Sequence, residues 1–150
     1  MDKFNNEGYL DLTAYHALEK IEKEEKAARK AANFRPLVYI CSPYSGDTEG
    51  NTKKAQLYSR FAVTKGYIPL AVHLLFPQYM SEGYERGLAL FMGGVILAKC
   101  KEVWVFGDHI SEGMEKEIYK AERMRKTIRY FTEGLEEAAK NEITVFKCQR

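Results

Sequence analysis

The residues best placed to do chemistry lie in one short segment, Ser111-Glu112-Gly113-Met114-Glu115-Lys116-Glu117, which follows the apolar run Glu102–Gly107. Where a strand leads into a helix in this way, the first backbone N–H groups of the helix can bind an anion. Ser111 is a natural N-cap, and Gly113 permits close approach of a backbone. A carboxylate beside such a site, Glu117, can attack or stabilise an electrophilic carbon. The helix dipole alone also favours glutamates here, so the segment predicts an anion site and leaves the role of Glu117 open.

Polar residues of two other segments could contribute to the same pocket. The loop Ser42–Asn51 is glycine-rich but matches neither common nucleotide-binding glycine motif; its Tyr44 could stack on a base or sugar, although a plain turn is an equal expectation. His73 follows an apolar run, where a side chain would face the site, but a lone histidine is more often structural. Arg86 opens a helix, where the dipole disfavours a cation. That position indicates a bound anion, a fixed partner such as Glu85, or an exposed arginine without a role.

The composition indicates an ordinary globular domain. The chain has 150 residues, of which 45% are hydrophobic and 29% charged, and its net charge is +2. This length suits one domain with a core of its own. The charge is too small, and too evenly mixed in sign, for a nucleic-acid footprint. No apolar run approaches the roughly 20 residues that span a bilayer, and the polar N-terminus lacks a signal-peptide core, so we expect no membrane contact and a cytoplasmic location.

Cysteine and histidine usage argues against a metal centre or a disulfide framework. The chain has three cysteines, an odd number at wide spacings without a Cys-x-x-Cys pair: Cys41, Cys100 and Cys148. Cys41 lies in an apolar run and is expected to be a buried core residue. No histidine has a second type of ligand at metal spacing. The sequence therefore predicts neither a metal nor a cofactor.

The elements that must position these residues follow a long N-terminal helix. Residues 13–32 predict a helix whose thin apolar stripe suits a surface or pairing with another chain, and residues 1–12 look irregular. From Pro36 onward, strands and helices alternate. Strands are predicted at 37–42, 67–72, 102–106, 127–131 and 143–147, and helices at 51–65, 84–99, 112–126 and 133–140. The helix at 51–65 is expected to start at an Asn51 cap, after which 73–83 forms a loop.

This alternation predicts an α/β fold. Apolar strands between helices indicate a parallel sheet that is covered on both faces. Five strands suit a flavodoxin-like or Rossmann-like three-layer sandwich with strand order 2-1-3-4-5. We expect it to span residues 35–150, after an N-terminal helical extension at residues 1–34. Such sheets bind ligands at the carboxyl ends of their strands, which brings four loops together: 42–51, 73–86, 107–117 and 132–134.

Motifs at this edge resemble a known group of proteins. They are Tyr39-Ile-Cys-Ser-Pro-Tyr44, then Pro-x-x-Val-His, then Glu-Val-Trp-Val-Phe-Gly followed by Ser-x-Gly-Met-x-x-Glu. Together they are similar to the nucleoside 2-deoxyribosyltransferase-like superfamily, which includes the 2'-deoxynucleoside 5'-monophosphate N-glycosidases. The similarity runs from Tyr39 to near Phe131. More closely, the motifs look like a branch found in phages and prophages of Gram-positive bacteria.

The resemblance implies a role for several residues. Glu117 would attack the anomeric carbon of a deoxyribosyl group to form a glycosyl-enzyme intermediate, while a second acid protonates the leaving base. Ser111 and nearby N–H groups would bind a 5'-phosphate or 5'-hydroxyl, and Tyr39 and Tyr44 would line the sugar or base pocket. The candidate ligand-binding residues are Tyr39, Ser42, Tyr44, Asp47, His73, Arg86, Ser111, Gly113 and Met114.

The chain departs from the superfamily at its acids. Members usually carry one aspartate in the helix before the third strand and another just before that strand, but here these positions are approximately Gly93 and Lys101. Losing one positioned acid costs about 10²–10⁴-fold in rate. Four residues in loops at the same edge could substitute, of which the first two are our candidate catalytic residues beside Glu117: Asp108, Glu85, Asp47 and His73.

Three hypotheses follow. The first is an N-glycosidase or 2-deoxyribosyltransferase that acts on a nucleoside or nucleotide through Glu117. The second is a non-catalytic phage-type sponge that sequesters a nucleotide-derived immune signal, such as a cyclic ADP-ribose variant, and the missing aspartates favour it. The third, which has less support, is an interaction protein whose N-terminal helix carries the function. We expect a homo-oligomer under all three, because members of the superfamily commonly complete the pocket with a neighbouring subunit.

Overall fold

The structure is a computed structural model that describes residues 12–145. The chain divides into two compact units, with the boundary between Phe34 and Arg35. In the first unit, helix α1 spans Leu12–Ala32 and buries none of its residues. Charged pairs one turn apart stabilise it, as between Lys23 Nζ and Glu19 Oε1 at 2.9 Å. The predicted N-terminal helix is confirmed, and the predicted irregular start, apart from Leu12, lies outside the described residues.

The second unit alternates strands with helices. Its strands are β1 (Leu37–Cys41), β2 (Ile68–Leu70), β3 (Glu102–Phe106), β4 (His109–Ile110), β5 (Thr127–Phe131), β6 (Glu137–Ala138) and β7 (Thr144–Val145). Its helices are α2 (Thr48–Thr64), α3 (Val72–Leu75), α4 (Arg86–Lys99) and α5 (Glu112–Arg123), with single 3-10 turns at Phe76–Gln78 and Lys140–Glu142. Apart from Val72, which the sequence placed at the end of the predicted 67–72 strand, the short α3 and the first of these turns lie where the sequence predicted a plain loop.

The main sheet has five strands in the order β2-β1-β3-β5-β6. The first four pair in parallel, and β6 pairs antiparallel with β5. The predicted α/β flavodoxin-like fold is therefore confirmed, including the order of its first four strands. The edge differs from the prediction. Strand β7, in the predicted 143–147 segment, pairs instead with β4 in a separate two-stranded sheet, and residues 146–147 lie outside the described part of the chain.

The sheet is covered on both faces. Because successive side chains of a strand point to opposite faces, β1 sends Tyr39 and Cys41 to one side and Val38 and Ile40 to the other. The first side forms a core with α4 and α5, and the second forms a core with α2. This explains why β1 and β3 read as continuous apolar runs rather than as alternating ones.

Helix α2 begins at Thr48, so the predicted start at Asn51 is wrong. The cap is Asp47, whose Oδ1 accepts a hydrogen bond from the Gly50 N–H at 3.1 Å. Asn51 lies one turn inside the helix and donates its side-chain amide to the carbonyls of Tyr44 and Ser45, at 3.1 Å each. Aspartate and asparagine cap helices about equally well, so the sequence did not distinguish the two positions.

The predicted helix at 133–140 is also wrong. The chain turns back after β5, where the Thr132 N–H donates to the Glu136 carbonyl at 2.9 Å, and continues as β6. Glutamates and alanines favour a helix here by local propensity. Pairing with β5 overrides that preference, and Arg129 supports it by donating two hydrogen bonds of 2.9 Å to the Glu137 carboxylate across the hairpin.

Candidate functional site

Glu117 and Tyr39 form the centre of the candidate site. Helix α5 is fixed to the sheet by buried Met114, Ile118 and Ala121, which leaves Glu117 half-buried at the border of the apolar face. Tyr39 is buried on the same side of the sheet. Its Oη donates a hydrogen bond to Glu117 Oε1 at 2.7 Å. The bond links β1 to α5 and fixes the direction of the carboxylate.

Cys41 is a second neighbour of this carboxylate. It lies two residues after Tyr39 on β1, so the two side chains share a face, and it is fully buried. Its Sγ lies 4.0 Å from the carbonyl oxygen of Met114 and donates a weak hydrogen bond to it. A hydrogen bond from the thiol also contributes to the electrostatics of Glu117. The sequence predicted only a core residue here, although the two-residue spacing from Tyr39 was the available signal.

Burial dominates the electrostatics of this centre. Burial raises the pKa of Glu117 above its usual value of 4.5, while hydrogen bonds from Tyr39 and Cys41 and the charge of Lys120 oppose the rise. Burial, reinforced by the charge of Glu117, raises the pKa of Tyr39 and of Cys41 well above their ordinary values, so both remain protonated donors. A partly hydrated carboxylate oriented by neutral donors suits attack on an electrophilic carbon.

Two glycines bring α4 close to this centre. A Cβ atom at Gly93 would lie 3.7 Å from Tyr39 Oη, and one at Gly94 would lie 3.5 Å from Lys120 Nζ. Neither glycine has a left-handed backbone conformation, so what they provide is space. Gly93 is also about the position at which the superfamily resemblance implies an acid. That position therefore faces the Tyr39 hydroxyl, and here it carries no side chain.

The N-terminus of α5 lies at the carboxyl-end edge of the sheet. Ser111 caps it, its Oγ accepting from the Met114 N–H at 3.3 Å, and Gly113 lies exposed in the first turn. Lys116 holds the pKa of exposed Glu112 below its usual value, and Arg86 adds a smaller contribution in the same direction. Arg86 is thus near enough to Glu112 for its charge to act at the start of α5.

An aromatic pair joins the loop that follows β1 to helix α3, which follows β2. Tyr44 and His73 stack with ring centroids 4.7 Å apart and planes inclined by 7°. Burial lowers the pKa of His73, and the charge of Glu82 opposes this shift. Burial and then Glu82 raise the pKa of Tyr44. The sequence singled out both rings but not Glu82, which lies in a loop segment without a motif.

Three candidate carboxylates are engaged away from Glu117. Asp47 caps α2 through Gly50. Asp108 Oδ1 accepts from the Glu133 N–H at 3.3 Å. Glu85 Oε2 accepts from the Ser81 N–H at 2.8 Å and so closes the turn before α4. Shared location in edge loops predicted that these groups would converge, but each accepts a backbone hydrogen bond instead, locally for Asp47 and Glu85 and from the loop after β5 for Asp108.

Ser42 directly follows β1 and is only 2% exposed, and its Oγ has no hydrogen-bond partner among residues 12–145. A buried hydroxyl without a partner is a costly feature that a ligand can satisfy. Across residues 12–145, no group of three or more histidine, cysteine or acidic side chains could hold a metal ion. Within the same range, no helix combines the length and apolar character needed to cross a membrane.

Comparison with solved structures identifies the fold. The chain is similar to the 2-deoxyribosyltransferase from the psychrotolerant bacterium Bacillus psychrosaccharolyticus, with a TM-score of 0.57 and 15% identity over 74% of this chain and 85% of that one. It is also similar to the 2-desoxiribosyltransferase from Leishmania mexicana, with a TM-score of 0.51 and 11% identity over 74% and 83% of the two chains. These neighbours support the superfamily resemblance at the level of the fold.

Sequence comparison identifies the family. No curated protein matches the chain. Residues 36–131 match the family described as "Domain of unknown function (DUF7768)", a span that runs from the residue before β1 to the end of β5. The span contains Tyr39, Gly93 and Glu117, the residues of the candidate centre. On this match the chain belongs to the DUF7768 family, built on a 2-deoxyribosyltransferase-like fold.

Proposed function

We propose that this protein binds a nucleoside or nucleotide at the carboxyl-end edge of its sheet and cleaves or transfers the N-glycosidic bond with Glu117 as nucleophile. The observation that carries the proposal is the 2.7 Å hydrogen bond from Tyr39 Oη to Glu117 Oε1. A carboxylate held by a buried donor has a fixed direction of attack, and orientation of the reacting group is a large part of catalysis. The fold shared with 2-deoxyribosyltransferases supports a nucleoside as the ligand.

The chemistry uses the second carboxylate oxygen. Tyr39 occupies Oε1, so Oε2 of Glu117 is the oxygen that attacks the anomeric carbon. The bond from this carbon to the base nitrogen breaks, and a glycosyl ester forms on Glu117. The electron pair of the broken bond stays on the base, and a neutral base gains a proton from water as it leaves. Water or the nitrogen of another base then attacks the same carbon and releases the carboxylate. Water gives hydrolysis, and a base gives transfer.

The start of α5 supplies a site for the 5' group of the ligand. Its first N–H groups point outward with the helix dipole behind them, which favours a phosphate or a hydroxyl oxygen. The Ser111 cap shapes this turn, Gly113 leaves the backbone open, and the Arg86 guanidinium adds positive charge. The buried Ser42 hydroxyl is available to a sugar oxygen, and Tyr44, stacked on His73, offers an aromatic surface to the base.

The test is release of free base from a panel of ribonucleosides, 2'-deoxynucleosides and their 5'-monophosphates. We expect turnover on at least one member and its loss in Glu117→Gln, which keeps the size of the side chain but removes the nucleophile. Glu115→Gln is the matched control, since Glu115 is an exposed glutamate on the same helix and should retain the activity. Activity that survives in Glu117→Gln would contradict the assignment of the nucleophile.

A second candidate function has one observation in its favour. The position near Tyr39 where the resemblance implies an acid is Gly93, so the centre has a nucleophile without an evident acid beside it. A phage-type sponge that sequesters a nucleotide-derived immune signal needs no acid. It would release its ligand unchanged on denaturation, and mass spectrometry of the ligand co-purified with the protein separates the two functions. Cleaved ligand alone supports catalysis, and intact ligand supports the sponge.

The proposal includes a homo-oligomer formed through α4 and α5. An apolar groove of about 390 Å³ lies between these helices, lined by Phe91, Gly94, Val95, Ala98 and Met124 with two lysine stems. Phe91 is 67% exposed, and Leu88 and Val95 are exposed on the same helix. A second copy of the chain would cover this apolar surface. Sedimentation should show that Phe91→Glu lowers the oligomeric state, whereas Leu57→Glu, at an exposed apolar position of α2, leaves it unchanged.

A further inference from the structure

We infer that the site acts on N-glycosides whose base already carries a positive charge, such as a pyridinium or an N7-alkylated purine. This inference rests on the proposed function and names its substrate class. A neutral base leaves as an anion unless an acid protonates it, and a positioned acid contributes about 10²–10⁴-fold to such a step. A cationic base leaves as a neutral molecule and needs no proton. The groups around Glu117 favour a cationic base, which leaves without a proton.

Among the described residues, three groups act on Glu117. They are the Tyr39 phenol, the Cys41 thiol and the Lys120 ammonium, and none is a carboxylic acid. Phenols, thiols and ammonium groups are far weaker acids than carboxylic acids. On the α4 side, the position that faces the Tyr39 hydroxyl is Gly93, which has no side chain. Among residues 12–145, the groups that act on Glu117 therefore include no strong proton donor.

Other titratable groups near this edge are engaged with neighbouring groups, and the Glu82 carboxylate with the Tyr44 hydroxyl. Asp47, Asp108 and Glu85 are bonded to backbone N–H groups of Gly50, Glu133 and Ser81. His73 stacks on Tyr44, and its half-buried ring favours the neutral form, which has no acidic proton to give at neutral pH. These engagements leave the edge loops suited to binding rather than to proton transfer.

The Tyr44–His73 pair offers an aromatic surface to the base. The faces of aromatic rings attract cations, most strongly where water is partly excluded. Tyr44 and His73 present such a surface, and Glu82 adds a negative charge that acts on both rings. A flat cationic base on this surface gains both ring stacking and the attraction of its charge to the ring faces and to Glu82. A neutral base gains only the stacking.

The bond changes balance without an added acid. An oxygen of the Glu117 carboxylate forms a bond to the anomeric carbon, and the electron pair of the carbon–nitrogen bond moves onto the ring nitrogen, which neutralises the cationic base. The glycosyl ester that results is cleaved by water. Water oxygen bonds to the anomeric carbon, the ester bond returns its electron pair to Glu117, and the proton of the water passes to solvent.

The experiment compares matched substrates on the whole protein. One arm uses N7-methylguanosine against guanosine, each as ribonucleoside and 2'-deoxynucleoside, and a second uses nicotinamide riboside and its 5'-monophosphate. We expect kcat/KM for the cationic purine to exceed that for the neutral purine by at least about 100-fold, the lower limit of what a missing acid costs. Rates in Glu117→Gln are subtracted, because cationic nucleosides also hydrolyse without a catalyst. The two arms show whether the base is a purine or a pyridine.

A variant makes the test specific for the missing acid. Gly93→Asp adds a carboxyl group beside Tyr39, where a Cβ atom meets only the phenol oxygen at an ordinary contact distance. It should raise kcat/KM for guanosine about 10-fold or more. The ratio of kcat/KM for N7-methylguanosine to that for guanosine should then fall. Gly93→Ala, which adds the Cβ atom without the acid, should keep the wild-type ratio.

The outcomes separate the two proposals. Equal wild-type kcat/KM for guanosine and N7-methylguanosine, or cleavage of guanosine alone, overturns the inference and leaves the proposed function standing. Absence of Glu117-dependent cleavage in both arms and across the neutral panel overturns both. A strong preference for cationic bases that Gly93→Asp narrows and Gly93→Ala does not supports the inference.

Discussion

The two faces of the central sheet differ in what they bury. Toward α2, the core is a layer of aromatic rings, in which Trp104 contacts Phe61, Phe106 and Phe131 at centroid distances of 5.1–6.4 Å. Toward α4 and α5, strand β1 buries a phenol and a thiol, and the carboxylate of Glu117, from α5, lies at the border. One face gains stability from close packing, and the other carries the desolvation cost of the carboxylate that we propose as the nucleophile.

Polar groups at the rim of the aromatic face serve its packing. The Trp104 Nε1–H donates to Glu102 at 2.7 Å, and Tyr67 Oη donates to the same carboxylate at 3.2 Å. The Arg129 guanidinium lies 5.0 Å from the Trp104 ring centroid and pairs with Glu137. These polar groups therefore provide one another with hydrogen-bond and charge partners. Substitutions on this face should therefore change stability, and those on the other face should change activity.

The largest expected effect is on the aromatic face. Trp104→Ala removes a fully buried ring and leaves a cavity, so we expect a loss of about 3–5 kcal/mol in the free energy of unfolding. Chemical denaturation measures it. Trp104→Phe, which retains a ring and loses the bond to Glu102, should lose less. A loss for Trp104→Ala below that of Trp104→Phe would show that the ring layer does not determine stability.

The second-largest expected effect compares the replacement of a tyrosine by phenylalanine on the two faces of the sheet. Tyr39→Phe removes the bond to Glu117 and should lower kcat about 10–100-fold by loosening the nucleophile, at a stability cost of about 1 kcal/mol. Because this bond lowers the pKa of Glu117, its removal should also move the acidic limb of the pH–rate profile to higher pH. Tyr58→Phe, on the α2 face, should leave kcat and the profile unchanged. Equal rate losses in the two variants would remove the functional distinction between the faces.

The sequence predicted the parallel sheet well and the site only in part. Local sequence patterns determine apolar strands such as 37–41 and 102–106, and they also determine the helix start at Ser111. These elements could therefore be predicted. The pairing of Tyr39 with Glu117 joins residues far apart in the chain, and only the superfamily resemblance linked them beforehand. The carboxylates of Asp47 and Asp108 were not predictable in this way, since a turn residue can cap a helix or face a pocket with the same local sequence.

A smaller effect concerns the loop that leads from β1 to α2. Asp47→Ala removes the cap, and we expect a loss of about 1 kcal/mol in the free energy of unfolding, with no change in ligand affinity. Asp47→Asn retains a capping oxygen and should recover most of that stability. Calorimetry measures both quantities on the same samples. A drop in affinity for Asp47→Ala that Asp47→Asn does not share would give Asp47 a place in the pocket.

The smallest expected effect is a gain in stability rather than a loss, and it concerns the Glu117 carboxylate. Because burial raises the pKa of Glu117, its ionisation costs stability: the folded protein is favoured below the unfolded pKa, near 4.5, and loses that advantage as pH rises through the folded value. Glu117→Gln abolishes this cost, so it should be more stable than the parent chain at pH 7, and the difference should vanish toward pH 4. Half-burial keeps the gain small, because the carboxylate retains part of its hydration. Melting temperatures across this range measure it, with Glu115→Gln as the exposed control. A variant that is less stable at pH 7 would mean that Glu117 holds the fold together, as the aromatic face does, rather than destabilising it for the sake of chemistry.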